Sequence, residues 1–362
     1  MIWKPKEKEL TLEEAVALAK KELAPFWFGI GPQIAGVKAN GKYAVYPLNT
    51  EFSKKSWLIM VVDPTDFFGE AGVLFAKEWF RRYGDLGLDI LVVFTAPYSF
   101  LKVAENAQKY VERLDAEFMV AVDVEQAVAP ALGAAQPPRV LLLHEGETHL
   151  NSGGVDWLKD AEISIQSYLR KTDPGLPLLT VFQPKIKTIT KTARVEFGFE
   201  GETAAFPEPG FQLDKDGKRV GDFPAPKAGQ EVPIDSKENN EKFSISLVGK
   251  WTQDKERIVT SDPNASLTFR SPFERVAFIA QSLSRTTDHP LVSLEIGGLA
   301  IYEAIAGEHI SFQDDGKTVA RVYKPELYHV LNGLPKTKRD ITFKFEVSSD
   351  CPVALYGFRF GE

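Results

Sequence analysis

Cysteine is almost missing from this chain: its 362 residues carry one, Cys351. A lone cysteine excludes any disulfide within the chain and fits a reducing compartment. Long apolar runs are missing too. The longest, such as Trp57–Val62 and Ile90–Phe94, fall far short of the ~20 residues that a membrane-spanning helix needs. No basic stripe offsets the formal charge of −7, so no nucleic-acid partner is expected. The first ten residues hold no apolar h-region and no small-residue cleavage site. They read as the start of a cytoplasmic protein, or of an extracytoplasmic one whose leader has been removed. Internal repeats and low-complexity segments are absent. So are a glycine-rich phosphate loop, a G-x-S-x-G turn and any nucleophile–base pair at a recognised spacing. No cofactor is expected, and no catalytic residue is assigned.

What is present is an ordinary globular composition, 44% hydrophobic and 26% charged, in a chain long enough for two cores. Residues 10–23 have the pattern of an amphipathic helix, with Thr11 as N-cap, Glu13 and Glu14 in the first turn and Lys20 and Lys21 near the end. Ile34–Leu48 alternates around Asn40-Gly41, a hairpin signal. Trp57–Asp63 reads as a buried strand, Pro64–Tyr83 as a turn and helix, and Asp89–Phe94 as a second buried strand. For such a βαβ unit parallel pairing is the default. A helix over 100–114, strands over 118–122 and 139–143, a turn over 144–148 and a closing helix over 155–170 follow.

From 171 to 242 the chain is broken by Pro184, Pro207, Pro209, Pro224, Pro226 and Pro233. It reads as a connector with one short strand over 193–199. Beyond it the period is two. Strands are expected over 243–248, 266–269, 275–280, 291–296, 309–312, 318–323, 340–347 and 353–360, the pattern of a β-sandwich or jelly roll. The expected organisation is an α/β domain over 1–170, a connector over 171–242 and an all-β sandwich over 243–362.

The order hairpin, βαβ, helix, strand, proline-led strand and helix is thioredoxin-like. The chain resembles thioredoxin-like proteins of the TlpA and DipZ type, in which a carbohydrate-binding-module-like sandwich follows the thioredoxin-like domain. Phe94–Asn106, Phe118–Asp123, Pro138–Glu147, Ala193–Gly201, Val248–Trp251 and Tyr356–Gly361 carry the likeness. The resemblance implies a cis peptide bond before Pro138. It also puts the two cysteines of the family's Cys-x-x-Cys on Asp66 and Gly69, and its buried acid on Met60. A carboxylate cannot replace a thiolate in disulfide exchange. The expected function is therefore a redox-inactive binding or scaffold protein with a protein or peptide partner. The alternative is a thiol-disulfide or peroxiredoxin-type enzyme that uses Cys351 or a partner's thiol.

The candidate groove consists of Asp66, Phe67, Phe68 and Pro138. Asp66 reads as an N-cap at the positive pole of the helix, with an acid in a cleft as the other reading. Phe67 and Phe68 read either as an exposed recognition pair or as rings of which at least one packs inward. In the sandwich, Tyr302, Tyr323 and Tyr328, with Trp251, Phe312 and Tyr356, are weaker candidates for a glycan platform or a protein contact. His144-Glu145-Gly146-Glu147-Thr148-His149 lacks the helical spacing of a zinc motif and reads as a solvated turn. Asp214-Lys215-Asp216-Gly217 echoes a calcium loop but has Ala225 where the bidentate glutamate belongs. No metal is assigned.

Overall fold

The computed structural model describes residues 33–37, 43–47, 56–103, 106, 117–123, 129, 137–144, 147–153, 157–183, 192–197, 212–213, 219–222, 231–233, 235–236, 242–253, 255–335 and 339–362. The chain divides into two compact units, Met1–Thr188 and Ile189–Glu362.

The first unit is built on a seven-stranded sheet. Its elements are β1 (Gln33–Val37), β2 (Tyr43–Pro47), β3 (Ser56–Val62), α1 (Phe67–Tyr83), β4 (Leu88–Thr95), β5 (Met119–Asp123), β6 (Arg139–His144), β7 (Glu147–Gly153) and α2 (Trp157–Thr172). The strand order is β2-β1-β5-β4-β3-β6-β7. β3, β4 and β5 run parallel, while β6 runs antiparallel to β3 and β7 to β6. This is the thioredoxin-like arrangement, and the Pro137–Pro138 bond is cis as expected. The expected hairpin is present, with Val37 opposite Tyr43.

The composition of β3 follows from its place. All seven of its residues are buried, because this central strand of a mixed sheet is covered by side chains on both faces. Leu58, Met60 and Val62 point to the side of Val73, Trp79, Trp157 and Ile165 on the two helices. Trp57, Ile59 and Val61 point to the other side, with Leu91, Val93 and Leu141. β7 departs from the sequence reading, which saw a turn over 144–148. It is an edge strand, largely exposed, held by backbone pairing to β6 rather than by an apolar face, so hydrophobic periodicity gives no sign of it. The helix expected over 10–23 and most of that over 100–114 lie outside the described residues.

The segment that follows α2 is fastened to the helices by a buried carboxylate. Glu162 is fully buried and accepts hydrogen bonds from Arg82 Nη1 at 3.0 Å, Tyr83 Oη at 2.8 Å and the Phe182 amide at 2.7 Å. Arg82 also donates to the Thr180 carbonyl, and Gln166 Nε2 to the Leu179 carbonyl and to Tyr83 Oη.

The second unit is an all-β sandwich. In one sheet Val353–Gly361 pairs with Arg275–Ser282 on one side, and with Thr192–Glu196 and Ile258–Thr260 on the other. The other sheet orders Lys242–Val248, Ser266–Ser271, Arg339–Glu346, Leu291–Ile296, Thr318–Arg321 and Ile310–Phe312. Rings from the two sheets meet between them: Phe269 and Phe358 at 4.9 Å, Trp251 and Phe345 at 5.3 Å, Phe278 and Phe343 at 5.9 Å. All eight expected strands are present to within two residues. A further strand, Glu326–Asn332, has no alternating signature because adjacent Leu327 and Tyr328 are both buried. Residues 171–242, read as a connector, hold short strands that join these sheets. Thr192–Glu196 pairs with the last strand, Arg219–Asp222 with Lys250–Gln253, and Glu231–Pro233 with Lys242–Val248. Strands of three to five residues between prolines give too short a pattern to register as strands. Among the described residues no helix is long and apolar enough to cross a membrane.

Candidate functional site

The turn that leaves β3 is organised by two aspartates. Asp63 accepts from the Thr65 amide at 2.8 Å and the Thr65 hydroxyl at 2.7 Å, an Asx turn. Asp66 has the extended backbone of an N-cap and its carboxylate accepts from the Phe68 amide at 2.8 Å. The capping reading of Asp66 is thus the one the geometry shows. Such a cap stabilises by about 1 kcal/mol, and the charge suits the positive pole of α1.

Gly69 lies in the first turn of α1. A Cβ at this position would lie 1.8 Å from the carbonyl oxygen of Asp63 and 2.8 Å from its carbon. The first turn of α1 therefore rests directly on the backbone of the preceding turn, and only glycine fits. One helical turn on, a Cβ at Gly72 would meet Trp157 Cη2 at 3.0 Å and Met60 Cε at 3.2 Å. Met60 is fully buried. The space between this turn of α1 and the sheet is filled by apolar packing.

Pairing of Val61 with Arg139 brings the Pro138 loop to the same end of the sheet. Of the two readings of Phe67 and Phe68 the inward one holds, since they are only 3% and 7% exposed, and Pro138 is buried as well. Successive helix residues point about 100° apart, so two consecutive buried rings mean that the first turn is enclosed on two sides. Asp66 alone of the four is half-buried. Phe68→Ala is accordingly expected to cost about 3–5 kcal/mol of stability and Asp66→Ala about 1 kcal/mol, read as shifts of the urea midpoint at constant slope. Equal melting of Phe68→Ala and the parent would show the ring to be free.

The sandwich candidates separate. Tyr302 and Tyr323 are 57% and 52% exposed, and Phe312 is exposed, whereas Tyr328, Trp251 and Tyr356 are buried. Tyr328 is therefore no platform residue. Its hydroxyl accepts from the Tyr323 and Lys324 amides and donates to the Lys324 carbonyl, which ties down the turn before its own strand. Tyr323 packs beside His289, ring centres 4.5 Å apart. Cys351 donates its thiol to the Asp288 carbonyl at 3.6 Å. Asp214 and its neighbours up to 218 lie outside the described residues.

The two histidines of the 144–149 motif converge after all, though not on a helix. β6 ends on His144 and β7 returns through His149, with ring centres 6.2 Å apart and Tyr168 of α2 at 5.1 and 5.2 Å from them. Ser56, at the start of β3, contacts both His144 Nδ1 at 3.1 Å and Tyr168 Oη at 3.2 Å. The spacing of five residues conceals this cluster, because a hairpin rather than a helical turn assembles it. Among the described residues, no group of three or more His, Cys, Asp or Glu side chains is placed to hold a metal ion.

No protein-family model matches the chain, and no curated protein matches it. Among solved structures it is similar to the thioredoxin domain of a thiol-disulfide oxidoreductase from Bacteroides vulgatus, at 15% identity over 40% of this chain and 99% of that one, with a TM-score of 0.30. It is also similar to a thiol:disulfide interchange protein from Bacteroides sp., at 15% identity over 41% of this chain and 91% of that one, TM-score 0.30. A third is the mitochondrial 2-cys peroxiredoxin from Plasmodium falciparum, at 9% identity over 42% of this chain and 98% of that one, TM-score 0.33.

Proposed function

We propose that this chain is a thioredoxin-like binding or scaffold protein in which the first unit has lost dithiol–disulfide exchange. The observation that carries this reading is the contact at Gly69: the Asp63 carbonyl occupies the place of any Cβ. This close approach supports the reading, because it leaves no room for a side chain at that position. Asp66, at the other cysteine position, is engaged as a cap. The rival reading, a thiol enzyme, needs a thiolate at this helix pole. The chain's one cysteine lies in the other unit, with its thiol directed at a backbone carbonyl.

With Phe67, Phe68 and Pro138 buried, the partner-binding role falls to the sandwich. There Tyr302 and Tyr323 offer exposed aromatic surface to a protein or a glycan. In an insulin-reduction assay the protein is expected to add nothing to the dithiothreitol baseline. Turnover above that baseline, abolished in Cys351→Ser, would reject the reading. Tyr302→Ala and Tyr323→Ala are expected to lower retention in polysaccharide affinity gels or on a captured partner without altering the melting temperature.

A further inference from the structure

We propose that the face formed by α1 and α2 in the first unit is a peptide-docking site. The chain's own residues 179–182, a strap across the two helices, fill it in cis, and an extended partner segment carrying an aromatic residue can take their place. The site reads main chain at three points. Gln166 Nε2 donates to the Leu179 carbonyl at 2.9 Å, Arg82 Nη1 donates to the Thr180 carbonyl at 2.7 Å, and Glu162 accepts from the Phe182 amide at 2.7 Å. Such contacts accept any residue except proline at the amide position. One side chain is recognised as well. The Phe182 ring meets Phe75 edge to face, centres 5.0 Å apart, with the Arg82 guanidinium 5.4 Å from its centre.

The groups that hold the strap also hold one another. Glu162, Tyr83 and Gln166 are all buried. The Tyr83 hydroxyl donates to Glu162 at 2.8 Å and accepts from Gln166 Nε2 at 3.0 Å, and Arg82 Nη1 donates to Glu162 at 3.0 Å. None of these bonds involves the strap. The network therefore keeps its geometry when the strap leaves, and a site already in its binding arrangement has less ordering to supply on association.

The strap, by contrast, is lightly held. It belongs to no helix or strand, and Leu178 and Leu179 are 68% and 38% exposed. A segment with exposed side chains and few buried apolar contacts is among the first parts of a fold to open. Being tethered, it competes at an effective concentration of roughly millimolar. A partner segment must bind more tightly than the strap does, or arrive when the strap is displaced.

The test is the fluorescence anisotropy of a labelled synthetic peptide of residues 174–183, titrated with the full chain. Phe182→Pro in the chain removes both the ring and the amide hydrogen that Glu162 accepts. The peptide is expected to bind this variant at least about tenfold more tightly than the parent, whose strap occupies the site. A peptide carrying Phe182→Ala is expected to bind the same variant at least about tenfold more weakly than the native peptide. Phe182→Ala in the chain, which spares the amide, gives the same comparison should the proline variant lose its cooperative melt. Equal binding to parent and variants, or binding to none of them, would overturn the proposal, as would a Phe182→Ala peptide that binds as well as the native one. Concentration-dependent dimerisation of the parent, abolished by Phe182→Pro, would assign the site to a second copy's strap and overturn the partner reading.

Discussion

Gly69→Ala is expected to destabilise the first unit by about 3 kcal/mol or more, and Gly69→Cys to do at least as much. Overpacking a filled position costs roughly 1–3 kcal/mol, and more where nothing can yield. Here the obstacle is the Asp63 carbonyl at 1.8 Å, a backbone atom whose own turn is held by the Asp63–Thr65 hydrogen bonds and the cap at Asp66. Neither α1 nor the turn can move without releasing the other. Gly84→Ala is the control. That glycine lies at the end of the same helix with right-handed backbone, and its nearest neighbour to a Cβ is a Phe80 ring carbon at an ordinary 3.6 Å. It should be neutral or slightly stabilising. Urea melts followed by the fluorescence of Trp57, Trp79 and Trp157 report on the first unit. The double variant Asp66→Cys, Gly69→Cys is expected to gain no reductase activity. If Gly69→Cys melts with the parent, or the double variant forms a disulfide, the packing argument for the proposed function is wrong.

The second large effect is expected at Glu162. Replacing a buried, paired carboxylate by alanine leaves its partners buried without it and typically costs about 3–5 kcal/mol. Glu162→Ala would leave the Tyr83 hydroxyl proton and the Phe182 amide without their acceptor and take one of Arg82's partners, leaving it Glu78 and the Thr180 carbonyl, so it should both destabilise the helices and release the segment through Phe182. Limited proteolysis after residue 173, faster in the variant, separates the second effect from the first. Glu162→Gln keeps the shape but not the charge and should cost less, about 1–3 kcal/mol.

The network also has a signature in alkali. Burial, then the hydrogen bond to Glu162 and its charge, push the Tyr83 phenol up to about 12. The unfolded chain loses that proton near pH ~10, so above that pH the folded state holds more protons and stability falls as pH rises. The contribution is complete below pH ~10 and is lost as pH climbs toward about 12. Tyr83→Phe should flatten this part of the profile.

Much of the architecture is set by local pattern. Continuous apolar runs mark β3 and β4 as strands covered on both faces, a period of two marks the sandwich, and Asn40-Gly41 lies between the paired strands β1 and β2. Asp66 is legible as a cap because an acid before an amphipathic helix satisfies amides that no other group reaches. That no cysteine stands at the start of α1 is likewise plain from the residues alone.

Tertiary structure decided what lies far apart in sequence. The burial of Phe67 and Phe68 depends on what encloses the first turn of α1, and side-chain periodicity does not report that. Gly69 reads as a neutral small residue until the approach of Asp63 O shows why nothing larger fits. Tyr328 lies in a strand without alternation and is buried, its hydroxyl bonding the turn before it. Ser56, His144 and Tyr168 meet across separations of 88 and 112 residues, and Glu162 reaches Tyr83 across 79. Hydrophobic period and turn chemistry act over a few neighbours, so they determine elements. Which polar groups share a buried space is fixed only when distant elements pack, and in this protein the close approach at Gly69, the buried carboxylate and the histidine pair all depend on that packing.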